Sequence, residues 1–390
     1  MKRFTLALAA TAALALSVGG AAAQEKLKIG MMVTLSGPSA VLGQHQRDGF
    51  NLALKQKGGK LGGIDVEVIV VDDELKPDVA VQKVQGLIER DKVDIVTGVT
   101  FSNVMMAIAK PVFDSKTFMV SSNAGPSPLA GKACSPFFYA SSWQNDQNHE
   151  TMGKYAQDKG FKKVVVMVPN YQAGKDAAAG FKRHFKGEIA DEIYTQLGQL
   201  DFSAELAKIA AAKPDAVFSF MPGGMGVNLV KQYTQAGLSG RIPFLSAFTI
   251  DETTLPATQD AAVGLLGGAQ WAPGSTLPAS KAFVEAFEKE YGYVPALYAQ
   301  QAYDAALMID AAVKASGGKP KDKEAMQKGF RTAQFDSIRG PFKMNTNGFP
   351  VQDFYVVKVV KRADGKFQTE PVEKVFTAYG DVYAKDCALN

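Results

Sequence analysis

Hydroxyls, amides and glycines crowd into four short stretches of this chain: "TLSGPSAVLG" at 34–43, "GVTFSN" at 98–103, "VSSNAGPS" at 120–127 and "MPGGMG" at 221–226. Each passes from an apolar run into a small, hydroxylated or glycine-rich loop and then into a helical pattern. Such a loop presents backbone N–H groups and Ser or Thr hydroxyls at a helix N-terminus, which suits an anion such as a carboxylate. The local alternative for any single loop, Ser122 and Asn123 included, is a turn plus a helix N-cap, where Ser, Asn and Gly are preferred anyway. Four of them at successive strand ends point towards a binding site.

Enzyme chemistries find less support. "HETMG" at 149–153 opens like a zinc-protease helix, but glycine stands at 153 where the second histidine belongs. Histidine occurs only at 45, 149 and 184, and no G-x-S-x-G elbow exposes a nucleophile. There is no P-loop, and no G-x-G-x-x-G opens the first helix, so no nucleotide or other cofactor is expected. Asp72 and Asp73 end an apolar run; a solvated strand end is the expectation, with a metal pair as the alternative.

The elements that must position these loops alternate. "LKIGMMVTL", a helical stretch from Val41 to Lys57, "IDVEVIVVDD", a helix over 77–90, "VDIVTGVT", a helix over 104–114 and "TFMVSS" make one βαβ series. A second series runs through "KKVVVMVP", a helix over 172–185, "EIADEIYT", "DAVFSFM", a helix over 225–236 and "IPFLS". The strands are nearly continuous apolar runs, as in a parallel sheet covered on both faces. The expected class is α/β with two Rossmann-like lobes. Ligands of such sheets sit beyond the carboxyl ends of the strands, where the four loops lie. Two later amphipathic helices, 280–292 and 298–316, and the strand "DFYVVKVVK" must return to complete earlier layers. Phe283, Phe287 and Tyr291, then Tyr303, Leu307 and Asp310, recur at helical spacing and are read as core.

Residues 1–23 read as a cleavable secretory leader: Lys2 and Arg3, an apolar run, then "GGAAA" ahead of Gln24. No cysteine follows to accept a lipid, and no other apolar run approaches the ~20 residues of a membrane span. A free periplasmic protein of a Gram-negative cell is expected. Removing Lys2 and Arg3 leaves 41 basic against 39 acidic residues, which is no nucleic-acid footprint. In an exported chain the only two cysteines, Cys134 and Cys387, are expected to form a disulfide that ties down the C-terminal tail.

The succession "LSGPSAVLGQHQRDGFNLAL", "VVDDELKPDVAVQKVQGLIERDKVDIVTG", "VSSNAGPSP" and "DFSAELAKIAAAKPDAVF" resembles the type I periplasmic binding proteins of ABC importers, in the branched-chain amino-acid group, from about Lys26 to Val359. The resemblance implies two lobes joined by three crossovers, near 142–145, 270–273 and 343–347, that close over a small molecule by hinge motion. Lobe 1 would comprise 24–143 plus 273–345, and lobe 2 would comprise 144–272 plus 346–390. A monomer serving a membrane ABC permease is implied, with no enzymatic activity.

Carried over residue by residue, the family's carboxylate seat falls on Phe101, Ser102, Ser122, Asn123 and Ala124. The opposite lobe would add Tyr171, Met221 and Gly223, while Leu42 and Tyr298 would wall the side-chain pocket. Where amino-acid binders of the family carry an acidic partner for the ligand's ammonium, this chain has Phe248, and Asp251 three residues on reads as an N-cap. With Trp143 and Tyr171 nearby, this favours a carboxylate without an α-amino group, and "VTFSN", "NAGPSPLAGKACSPFF" and "SSWQNDQ" are similar to a subgroup that takes up benzoate- or cinnamate-type acids. Gln44 and His45 are candidates for a ring hydroxyl, or a solvated first turn. The alternatives are a branched-chain or other amino-acid binder, a ligand-sensing subunit of a membrane receptor and, more distantly, an exported hydrolase.

Overall fold

The structure, a computed structural model, describes residues 26–332 and 334–389. The leader expected over 1–23 lies outside the described residues. Among those described, no helix is long and apolar enough to cross a membrane.

The chain opens as β1 (Leu27–Val33), α1 (Ala40–Gln56), β2 (Lys60–Leu61), β3 (Ile64–Asp72), α2 (Pro77–Glu89), β4 (Ile95–Gly98), α3 (Ser102–Asp114), β5 (Phe118–Ser121), α4 (Ser127–Ala130) and β6 (Phe138–Ala140). Its six strands pair in the order β2-β3-β1-β4-β5-β6, parallel except for the β2–β3 hairpin. β1 is buried on both faces, which is why it reads as an unbroken apolar run.

The second series follows as α5 (Asp146–Asp158), β7 (Lys163–Pro169), α6 (Gln172–His184), β8 (Glu188–Thr195), α7 (Ser203–Ala212), β9 (Ala216–Ser219), α8 (Gly224–Gln235), β10 (Phe244–Ser246), α9 (Leu255–Thr258) and β11 (Leu266–Ala269). The chain ends with α10 (Pro278–Tyr291), α11 (Leu297–Ala315), α12 (Lys323–Thr332), β12 (Lys343–Met344), β13 (Pro350–Lys361) and β14 (Phe367–Tyr379). The second sheet runs β12-β13-β11-β10-β9-β7-β8, with β14 on β13. Its β8-β7-β9-β10-β11 stretch repeats the winding of β3-β1-β4-β5-β6, so both sheets reverse direction beside their first strand. That reversal opens a crevice at the carboxyl end of each sheet.

Two glycines set how closely the covering helices approach. A Cβ on Gly49 of α1 would lie 2.0 Å from the Ala299 carbonyl oxygen of α11, and one on Gly153 of α5 would lie 2.1 Å from that of Phe181 on α6. In this way α11, late in sequence, returns to cover the first lobe, as its apolar stripe requires. Phe283 and Phe287 are buried core. Asp310, grouped with the core stripe on spacing alone, instead accepts from Lys57, from Lys314 and from the Gly62 amide. Its carboxylate ties α1, the β2–β3 hairpin and α11 together.

The acidic pair after β3 also departs from the expectation of a solvated strand end. Asp73 is fully buried and accepts from Thr34 Oγ1 at 2.6 Å and from the Leu75 amide, while Asp72 accepts from Ser36 and the amides of Leu35 and Glu74. Both staple the β1 and β3 loops to each other, and no metal-holding cluster of three or more His, Cys, Asp or Glu occurs among the described residues.

Between β6 and α5 the chain leaves the first sheet for the second, and buried Arg339 clamps that passage. Its guanidinium donates to the carbonyls of Ser141 and Ser142 and pairs with Asp304 at 3.3 Å. The Cys134–Cys387 disulfide forms as expected. Cys134 precedes β6 of the first sheet and Cys387 follows β14 of the second, so the bond is a further covalent connection between the lobes.

Candidate functional site

The loops at the carboxyl ends of both sheets meet around one closed cavity. The first lobe supplies Leu42 from α1, Thr100, Phe101 and Ser102 after β4, Asn123 and Ala124 after β5, and Tyr298 from α11. Across from them stand Tyr171 and Ala173 at the start of α6, Phe220 and Pro222 after β9, and Phe248 after β10. Trp143 and Asn145 come from the passage between lobes and His149 from the first turn of α5. Every lining residue is buried, and the free space inside amounts to only about 20 Å³.

Three expected residues lie off this surface. Ser122 donates to Gln46 Oε1 at 3.0 Å, and Gln46 in turn donates to Thr100 Oγ1, so Ser122 supports the wall from behind. Met221 is fully buried in the second lobe's core, with its amide donating to Thr249 Oγ1. Gly223 stands against Leu42 of the opposite lobe, where an added Cβ would lie 2.8 Å from Cδ1. Gln44 and His45 line a separate cavity of about 460 Å³ with Tyr293 and Glu252; its rim residues Gln44, Pro256 and Gln259 are exposed, so it is an open groove. Asp251 is no N-cap: Thr254 holds that position on α9, and the Asp251 carboxylate instead accepts from the Thr253 amide and hydroxyl.

The hydrogen bonding around β5 relocates the donors that the sequence suggested. The amides of Ser122 and Ala124 donate to the carbonyls of Gly98 and Val99, and that of Asn123 to Ser121 Oγ. Two tie the loop to the one after β4 and the third closes it on itself, so all three are used up. At α3, by contrast, the N-cap is Phe101, which offers no side-chain acceptor, and the first backbone bond runs from Met105 N to Phe101 O. Among the described residues the amides of Ser102, Asn103 and Val104 are therefore left without partners. Ser102 Oγ accepts from Asn145 Nδ2 at 3.0 Å, which leaves its own proton to donate.

The helix α6, whose N-cap Tyr171 and second residue Ala173 also line the cavity, likewise starts without a side-chain cap, and neither it nor α3 carries an acid in its first turn. Their N-terminal partial charges stay uncompensated around a cavity whose lining contains no Asp, Glu, Lys or Arg. The hydroxyls of Tyr171 and Tyr298 have no hydrogen-bond partner among the described residues, and burial pushes both well above the usual phenol range, so they stay protonated donors. The site offers hydrogen bonds to an anion and none of the negative charge that would hold an ammonium.

Its walls are aromatic. Phe248 stacks on Trp143 with centroids 4.7 Å apart, and Phe101, Tyr171 and Phe220 follow one another at 6.2 Å spacings. Phe248 at φ 57° and Val99 at φ 61° hold the left-handed conformation that bulky side chains avoid, at a cost of order 1–3 kcal/mol each. Both follow strands that feed the cavity. Of the expected loop 221–223, Pro222 is the residue that reaches the cavity, and sequence reasoning missed Thr100, Asn145, His149, Phe220 and Ala173. The usable signal was the start of α5 directly beside Trp143.

Burial also sets a pH dependence. It pushes Glu150 up to about 7, although Arg183 beside it pulls the other way, and Glu252 up to about 8. His45 and His149, held down to about 3 by burial, and His184, also held down, oppose this only in the lower part of the window, where the unfolded chain still protonates part of its histidine, and the two carboxyls outweigh them. From pH 6.5 to 8 the folded state therefore keeps carboxyl protons that the unfolded chain has already lost, and stability falls as pH rises. The melting temperature is expected to drop by roughly 2–4 °C across that window. Glu252→Gln should flatten the slope in a thermal melt; an unchanged slope would clear Glu252 of the effect.

The comparisons with known proteins accord with this geometry. The family model for periplasmic binding proteins matches residues 26–366. A solute-binding protein of an ABC transporter from R. palustris, solved in complex with benzoate, is 31% identical, with a TM-score of 0.88 over 93% of this chain and 100% of that one. Another from R. palustris, solved with 4-hydroxybenzoate, is 29% identical, with a TM-score of 0.85 over 91% of this chain and 98% of that one. Leu/Ile/Val-binding protein homolog 6 of Brucella melitensis is 29% identical over 98% of both chains. The chain thus belongs to the periplasmic binding protein family, among the solute-binding proteins of ABC transporters, which are not enzymes.

Proposed function

We propose that this protein captures a small aromatic carboxylate of the benzoate or cinnamate type in the periplasm and delivers it, as a monomer, to an ABC permease. The carrying observation is the closed cavity: aromatic walls, the uncapped N-termini of α3 and α6 and no charged side chain. The carboxylate sits at the start of α3, on Ser102 and the free amides, and the ring lies among Phe101, Tyr171, Phe220 and Phe248. Residues 1–23 direct export, and the lobes, 24–143 with 273–345 and 144–272 with 346–390, part and close to admit the ligand. The benzoate and hydroxybenzoate complexes of the R. palustris proteins support the choice of ligand class.

An α-amino acid fits less well. A buried ammonium without a partner is costly, and Asp251, whose Oδ2 has no partner, is not part of the cavity lining. A thermal-shift and calorimetric screen of the mature protein tests this. Benzoates and cinnamates should raise the melting temperature by several degrees, leucine and valine should not, and stabilisation by leucine alone would overturn the aromatic assignment.

A further inference from the structure

His149 stands in the cavity wall with nothing to bond. It is 2% exposed, and neither ring nitrogen has a hydrogen-bond partner among the described residues, Nδ1 being fully enclosed. Its surroundings are apolar: Phe218, Phe220 and Phe248 meet it edge-on, with centroids 5.0–5.8 Å away. Buried polar groups in native proteins are normally satisfied, so a bare imidazole here needs an account. A purely structural role would be filled better by phenylalanine.

The position of His149 supplies the account. It belongs to α5, which packs on the second sheet's side of the cleft, whereas the uncapped start of α3 belongs to the first. A planar acid whose carboxylate lies on α3 therefore points its far end towards the second lobe. Resting on the aromatic-acid reading above, we infer that His149 is the specificity-determining contact for a hydroxyl at the end of the ring opposite the carboxylate. A hydroxyl both donates and accepts, so it satisfies whichever imidazole nitrogen it meets, where a methyl group or hydrogen leaves the nitrogen bare. It also ties the ligand to both lobes, so hydroxyl-bearing acids favour the closed form more than unsubstituted ones do.

The test is calorimetric titration of the full mature protein with benzoate, 4-methylbenzoate and 4-hydroxybenzoate, repeated on His149→Phe and His149→Gln. The wild type should bind 4-hydroxybenzoate at least about tenfold more tightly than the other two. His149→Phe should bring that ratio close to one, and His149→Gln, which keeps an amide, should restore part of it. Ser102→Ala should weaken all three acids and leave the ratio in place, separating the hydroxyl contact from the carboxylate seat. Equal wild-type affinities, or a preference that survives His149→Phe, would overturn the inference while leaving the aromatic-acid reading intact; failure of all three acids to bind would overturn both. Should the phenylalanine variant not fold, the wild-type ratio decides alone.

Discussion

Replacing Ser102 with aspartate is expected to weaken binding of an aromatic carboxylate about a thousandfold. Ser102 opens α3, its hydroxyl proton is free because Oγ already accepts from Asn145, and the first amides of the helix have no partner. A carboxylate introduced there would face the ligand's own at close range, where two like charges repel by about 4 kcal/mol at an effective dielectric constant of 20. It would also accept from the very amides that the ligand needs. In the isolated fold an acid in the first turn of the helix interacts well with its dipole, while the buried Asp176 carboxylate, which accepts from the same Asn145 amide as Ser102, opposes it. A melt should show the ligand-free variant folded while calorimetry shows binding lost. Unchanged affinity would remove the anion seat from α3.

The second large effect concerns the Cys134–Cys387 bond. It closes a loop of 253 residues and joins two parts of the chain that belong to different sheets. The loop-entropy relation assigns such a crosslink about 5 kcal/mol, although measured values run lower. For the double variant Cys134→Ser/Cys387→Ser, a melting temperature roughly 5 °C below the wild type is expected, with reduction of the wild type giving the same value. The tail keeps other anchors: Tyr383 donates to Asp146 at 2.8 Å, and Asn347 donates to the Asp381 carboxylate. If melting proves insensitive to reduction, those contacts suffice and the disulfide is dispensable for stability.

Much of this protein can be read locally. Apolar runs of four to nine residues followed by amphipathic helices became the two wound sheets, because a strand covered on both faces has no use for polar residues. Cys134 and Cys387 were paired correctly from compartment and count. The loop at β4 was also legible: Phe101 and Ser102 both reach the cavity. Residues that depend on a partner far along the chain were misplaced. Asp73 was taken for a solvated strand end because nothing in "VVDDEL" announces that Thr34 will bury it. His149 was weighed only as half of a metal motif, since its aromatic box comes from Phe218, Phe220 and Phe248, some 70 to 100 residues later.

By itself, then, the sequence determined the fold class, the strand ends whose loops line the cavity and the chemical character of those loops, because periodicity and turn chemistry are local properties. Which donors are free was decided only by tertiary structure. A backbone amide that closes a loop has no capacity left for a ligand, and whether it does so depends on what lies opposite it. At Ser122 and Ala124 the β4 loop lies opposite and takes the hydrogen bonds; at Ser102, among the described residues, nothing does, and Ser102 lines the cavity.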